Sequence, residues 1–226
     1  MAEHEHNKDR TRSRILAAAL REFGERGYAE SSTNRICREA GLSKGLLFHH
    51  FGSKEKLFFA VLEQCMRDFQ EFTVPKGGEA DCFCLFYRRR TQFFSEHPCH
   101  YAVIMSLFDG TAGQPEPLYA WRVRFEQEKE RLLGGCLQGC ALREGVSRED
   151  ALELIAAMSS YLQEKYLKGR VGKAGSPELT ERFMRDYDHM LSMLLHGILQ
   201  APAGGSGCGI ADPCPLAQKS PANGRV

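Results

Sequence analysis

Apolar residues along this 226-residue chain return at every third or fourth position, the period of helices that each bury one face. In residues 8–26 the series is Ile15, Leu16, Ala19, Leu20 and Phe23, interleaved with charge. Arg26 and Gly27 end that helix, and Tyr28 is placed to fold back over it. Residues 32–51, STNRICREAGLSKGLLFHHF, read as two short helices joined by a tight turn. Ile36, Ala40, Leu42 and Leu47 supply their apolar positions, Cys37 is small enough for a close crossing, and Gly41 stands where the chain must reverse with positive φ. Ser43 caps the second helix, which leaves Lys44, Gly45, Leu46, His49 and His50 on its free face. Ser53 caps a further helix with Leu57, Phe58, Val61, Leu62 and Cys65 along one side.

Between residues 79 and 199 no stretch alternates with the period of a strand, and no segment repeats. Helices are predicted near 79–96, ended by the His97-Pro98 step, and at about 100–109. A long one follows over 118–143, with a kink or break near Gly134, Gly135 and Gly139. Ser147 caps the next, about 148–168, and Pro177 opens the last at its first turn, about 177–199. The pattern therefore predicts an all-α chain: an N-terminal helix-turn-helix unit over 1–52, a connecting helix over 53–72 and a larger helical unit over 73–199. Residues 200–226 hold 4 Pro and 5 Gly with almost no large apolar group, the composition of a disordered tail. The helices at 148–168 and 177–199 carry more apolar surface than one packing face needs. This predicts a homodimer with Leu152, Ile155, Leu191 and Leu194 on the shared seam.

Charge adds a local feature. The chain as a whole is nearly neutral, at +1, but residues 1–58 carry a surplus of three basic side chains. Lys8, Arg10, Arg12 and Arg14 can track a phosphate strand or enter a minor groove, or simply solvate a helix start. A short capped helix with a polar face fits the DNA major groove, so groove fit and symmetry would matter as much as bulk charge.

The run from RILAAALREFGERGYAESSTNRICREAGLSKG to LLFHHFGSKEKLFFAVL resembles the tetracycline-repressor (TetR) family of bacterial one-component regulators over about the first 62 residues. Phe23, Gly27, Thr33, Ile36, Gly41, Ser43, Gly45, His50, Phe51, Lys54 and Leu57 fall in register. The resemblance implies that Thr33, Lys44, His50 and Lys54 touch DNA, mostly its phosphates, and that the last two long helices pair with those of a second subunit. This chain departs from the family at Phe48, where a Tyr is usual, so one phosphate-directed hydroxyl is missing.

The expected DNA-contacting set is thus Arg10, Arg12, Thr33, Ser43, Lys44, Gly45, Leu46, Phe48, His49, His50 and Lys54. Each subunit would seat its 44–50 helix in one of two successive major grooves of a near-palindromic operator. A small apolar effector in the larger unit would change the spacing of the two heads through the 53–72 helix, most simply releasing a repressor. Phe86, Phe93, Met105, Phe108, Trp121, Phe125, Met158 and Tyr161 are the candidates for lining its pocket, although most of them must fill core.

Other chemistry is thinly represented. There is no phosphate-binding glycine loop, nucleophile elbow or HExxH, so no enzyme and no cofactor are expected. Cys82 and Cys84 stand roughly 200° apart on a helix and cannot easily share a metal. Cys136 and Cys140 share a face and leave a thiol- or metal-responsive regulator as an alternative, and His97, Cys99 and His100 bracket a helix end. Buried small cysteines and ordinary histidines are the plainer account of all three groups, and no metal is expected. A DNA-bound structural factor without a small-molecule effector is the other alternative. The opening EHEHNKDR reads as no secretory signal and no run is apolar enough for a membrane span. A cytoplasmic chain with reduced thiols is the expectation.

Overall fold

The computed structural model describes residues 2–74, 83–108, 118–138, 140–167 and 177–198. The predicted 200–226 tail and the Cys82/Cys84 pair lie outside the described residues or side chains. The described residues form nine helices and no strand: α1 (Ala2–Glu30), α2 (Thr33–Ala40), α3 (Lys44–Phe51), α4 (Lys54–Thr73), α5 (Phe83–Glu96), α6 (Pro98–Met105), α7 (Leu118–Gln138), α8 (Arg148–Leu167) and α9 (Pro177–Ile198).

Local chemistry accounts for most helix ends. Gly27 interrupts α1 with φ 71° and ψ 173°, so the predicted stop is a kink from which the helix runs on to Glu30. Gly41 sits at φ 62° and its N–H reaches back to the Arg38 carbonyl. The Ser43 hydroxyl accepts from the Leu46 N–H at 3.2 Å and the Ser53 hydroxyl from the Lys56 N–H at 3.0 Å, two N-terminal caps read correctly from the sequence. Ser147 and Asp150 form a reciprocal cap: the Asp150 N–H donates to the Ser147 hydroxyl at 3.0 Å, and the Ser147 N–H to the Asp150 carboxylate at 3.1 Å.

Two expected boundaries shift. α6 begins at Pro98, because a proline at the first helical position lacks only an N–H that the helix would leave unpaired. α7 ends at Gln138 rather than 143, and Gly134 and Gly135 are carried within it.

α1, α2 and α3 close around Ile15, Phe23, Ile36 and Leu47, with Leu57 and Phe58 of α4 completing the same core. Tyr28 folds back as expected, its ring 5.1 Å from Phe58 and 6.2 Å from Phe23. α4 continues into the larger unit, packing on α5 and α6, while α8 packs along α9. α1 also lies against α6, so the N-terminal unit rests on the larger one through two helices.

Candidate functional site

The direction of each α3 side chain follows from which residues its core takes. Leu47 and Phe51 are buried, which points Gly45, Phe48 and His49 outward; these three and Lys44 are exposed. Leu46 and His50 are half-buried rather than free, a correction to the expected face. His50 is three residues from Leu47 and so only roughly 60° from the inward direction. Phe48 is 36% exposed, with the Lys44 ammonium 5.9 Å from its ring centroid. Within the subunit nothing requires glycine at 45, since an added Cβ would meet only the Ser43 hydroxyl, at 4.0 Å.

Basic groups on α1 and α4 are held in the same unit. The Arg12 guanidinium lies 5.1 Å from the Phe51 ring, which brings the start of α1 beside the end of α3; Arg10 is exposed two residues earlier, roughly 200° around the helix. Burial, then the charges of His49, Lys8 and Arg12, push the His50 imidazole below its ordinary value. Lys54 is held at the start of α4 with its ammonium 4.6 Å from the Tyr28 ring and 3.5 Å from the Ala29 carbonyl. Thr33 is half-buried at the first turn of α2. Arg14, although exposed, is tied down: it donates to the Ala40 carbonyl at 2.6 Å and so closes the end of α2.

One anchor escaped the sequence reading. Glu22, 5% exposed, accepts from the Ser32 N–H at 2.8 Å and from the Arg35 guanidinium at 2.7 Å, tying α1 to the start of α2. Burial raises the Glu22 carboxyl, but the Arg35 and Ser32 hydrogen bonds and the charges of Arg35 and Arg26 outweigh it. The group titrates below the ordinary glutamate range. A polar residue inside an apolar series, 13 positions from a complementary arginine, was the available signal.

The aromatic candidates of the larger unit separate. Phe86, Phe93, Met105, Phe125 and Met158 are buried, and Phe108 and Trp121 are half-buried. Trp121 stacks on Phe59 of α4 with ring centroids 5.8 Å apart. Tyr161 is 54% exposed and lines no interior, because Met158 and Leu162 take the inner face of α8 and turn it outward. A cavity of about 290 Å³ does open among Ser13, Leu16, Ala17 and Leu20 of α1, Val61, Gln64 and Asp68 of α4, and His100 of α6. None of the expected effector residues lines it.

Two of the expected seam residues are also corrected. Ile155 and Leu191 are fully buried within the subunit. Among the described side chains, the large apolar groups that α8 and α9 leave exposed are Leu154, Tyr161 and Met193. The Cys136 side chain lies outside the described ones, and with it the Cys136/Cys140 pairing. No group of three or more His, Cys, Asp or Glu among the described residues is arranged to hold a metal. No described helix is long and apolar enough to cross a membrane.

Comparison with known proteins bears on the reading head first. Residues 15–61 match the family described as bacterial regulatory proteins, tetR family. The HTH-type transcriptional repressor AcnR of Corynebacterium efficiens is 44% identical over 68 residues, 30% of this chain and 36% of that protein. The HTH-type transcriptional regulator UidR of Escherichia coli K12 is 46% identical over 54 residues, 24% of this chain and 28% of its own. The match thus spans about a third of these relatives' length. The fold extends further. The structure of the TetR family protein CprB from S. coelicolor A3(2) covers 94% of this chain and 99% of its own, with a TM-score of 0.61 at 19% identity. A gamma-butyrolactone receptor (ArpA-like protein) covers 86% of this chain and 90% of its own, with a TM-score of 0.55 at 18% identity.

Proposed function

We propose that this chain, which carries the DNA-binding domain of the TetR family, is a homodimeric transcription repressor that acts in the cytoplasm and is released from DNA by a small molecule. The observation that carries the reading is the outward face of α3. It is capped by Ser43, kept low by a glycine at 45 that the subunit's own packing does not need, and bordered by Arg12 and Lys44. Low relief and positive charge are what a helix needs to enter a major groove between two phosphate strands. Arg10, Arg12, Lys44, His50 and Lys54 serve the phosphates, with Thr33 beside them, while Gly45, Leu46, Phe48 and His49 meet the groove.

Dimerisation is supported by the stripe that α8 and α9 leave uncovered. Leu154 and Tyr161 stand seven residues apart, hence on one side of α8, and Met193 lies opposite the buried Leu191 and Leu195 of α9. A second copy meeting this stripe produces a two-fold pair of reading heads. The effector acts in the larger unit, whose α6 packs on α1 and whose α5 and α6 pack on α4. It shifts the heads only if it binds the two arrangements unequally.

The test is selection of bound duplexes from a random pool with the full chain, followed by a screen of small molecules for release of the winning duplex. The expected winner is a near-palindrome whose half-sites lie about 34–36 Å apart. Its affinity should fall by about 10³–10⁵ between 50 and 200 mM salt. No enriched duplex, or an asymmetric one bound by a monomer, overturns the reading. A palindrome that no small molecule releases points instead to a DNA-bound structural factor.

A further inference from the structure

The cavity of about 290 Å³ takes its walls from both units. Ser13, Leu16, Ala17 and Leu20 stand at i, i+3, i+4 and i+7 and so line it from one face of α1. Val61, Gln64 and Asp68 do the same from α4, and His100 of α6 closes the third side. Leu16 and Val61 are buried at its floor, while Ser13 and Ala17 are exposed at its mouth. One turn beyond Leu20, Gly24 lies against Cys99, so α1 and α6 touch beside the opening. The volume falls at the lower end of the range for ligand pockets, about 300–1,000 Å³, which suits a small molecule.

The polar edge of the cavity is rich in acceptors. Asp68 Oδ1 accepts from the Gln64 amide at 2.6 Å, and Asp68 Oδ2 from His100 Nε2 at 3.1 Å. A carboxylate oxygen can accept twice, so each keeps one position open. The Ser13 hydroxyl donates its proton to the Asp9 carbonyl at 3.0 Å and keeps its lone pairs. Gln64 Oε1 accepts from the Arg67 guanidinium at 2.9 Å, and Arg67 also pairs with Glu63 at 3.6 Å. Asp68 is the one aspartate, glutamate, lysine or arginine in the lining. Among the described residues no lysine or arginine forms an ion pair with it. Burial pulls the His100 imidazole below its ordinary value, outweighing the Asp68 hydrogen bond that raises it. Open acceptors and one negative charge beside an apolar floor are the complement of an ammonium group on a hydrocarbon body. An anion meets repulsion from Asp68, and an alcohol brings one donor and no charge.

We propose that this cavity binds a small primary amine, with its ammonium on Asp68 and its hydrocarbon body against Leu16, Leu20 and Val61. Its consequence for DNA rests on the repressor reading above; the binding itself does not. The occupant touches α1, α4 and α6 together, so it favours the spacing at which these helices stand and opposes any respacing of the reading heads.

Calorimetric titration of the full chain without DNA tests this at pH 8, where a histidine below its ordinary value is uncharged and primary amines are ammonium ions. The probes are hexylamine, benzylamine and phenethylamine, each against the alcohol of the same skeleton, with phenylacetate as the anion. At least one amine should bind tenfold or more tightly than its alcohol, and phenylacetate should not bind. Asp68→Asn keeps the shape of the wall, removes its charge, and should lose tenfold or more of the amine affinity. Ala17→Trp fills the mouth from an exposed position and should lose as much. It carries the test alone if circular dichroism shows that Asp68→Asn does not fold. Amines that bind no better than their alcohols, or an amine affinity unchanged in either folded variant, overturn the proposal. An amine that binds while no duplex is selected supports this site and removes the repressor reading. A palindrome released by another small molecule, with no amine bound, overturns this site alone.

Discussion

Gly24 of α1 and Cys99 of α6 meet so closely that no side chain fits between them: a Cβ on Gly24 would lie 2.7 Å from Cys99 Cβ and 2.8 Å from its Cα. The obstructing atoms include backbone, so they cannot swing aside as a long side chain would. This contact joins the first helix of the N-terminal unit to the larger unit's α6, and it makes their spacing sensitive to one methyl group.

Gly24→Ala should therefore destabilise the chain by about 1–3 kcal/mol through overpacking. It should also weaken operator binding, because α1 carries Arg12 to the edge of α3. Thermal denaturation alongside a DNA titration checks both. An unchanged midpoint would mean that α1 and α6 part easily.

Phe48→Tyr is expected to tighten DNA binding by about 1.5 kcal/mol at most per subunit, from one added charge-assisted hydrogen bond to a phosphate. Because Phe48 is 36% exposed, the new hydroxyl is solvated in the free protein and the thermal midpoint should not change. The gain should be similar on operator and random duplex, since phosphates carry no sequence information. A lower midpoint without tighter binding would show that the ring turns inward when DNA is absent.

The Glu22–Arg35 tie predicts a pH dependence. The folded-state pKa of Glu22 is depressed, so its contribution is complete above the unfolded glutamate value, about 4.3. It is lost as pH falls through the folded value. Glu22→Gln should flatten this acid limb and cost about 1 kcal/mol at pH 7, where the charge-assisted bonds are replaced by neutral ones. An acid limb identical to that of the unsubstituted chain in urea titrations between pH 3 and 7 would argue against the tie.

For the dimer, Leu154→Glu together with Met193→Glu should yield a monomer by sedimentation at micromolar concentration. Both positions are exposed in the single subunit, so its stability should change by less than about 0.5 kcal/mol apart from the loss of association. Ile155→Glu should instead unfold the subunit, since Ile155 is fully buried within it. A dimer that survives the double substitution would move the seam off this stripe.

The helices and their caps were readable because their causes are local. Ser43, Ser53, Gly41 and Pro177 act within a turn of where they stand, and the spacing of Ile36, Ala40 and Leu47 names the inner face. The resemblance over the first 62 residues is likewise a matter of residues in register. Contacts between distant segments were not readable. Arg14 and Arg12 are two residues apart in one basic series, yet Arg14 bonds the Ala40 carbonyl while Arg12 stays beside α3. Periodicity marks Leu152, Ile155, Leu191 and Leu194 alike as apolar, but a helix packed on its own subunit buries some of its apolar positions there. Which remain for a partner depends on how α8 lies on α9. The same holds for Arg90 and Tyr101: sequence shows a charged residue and a phenol among aromatics, and their burial arises only when α5, α6 and α9 converge.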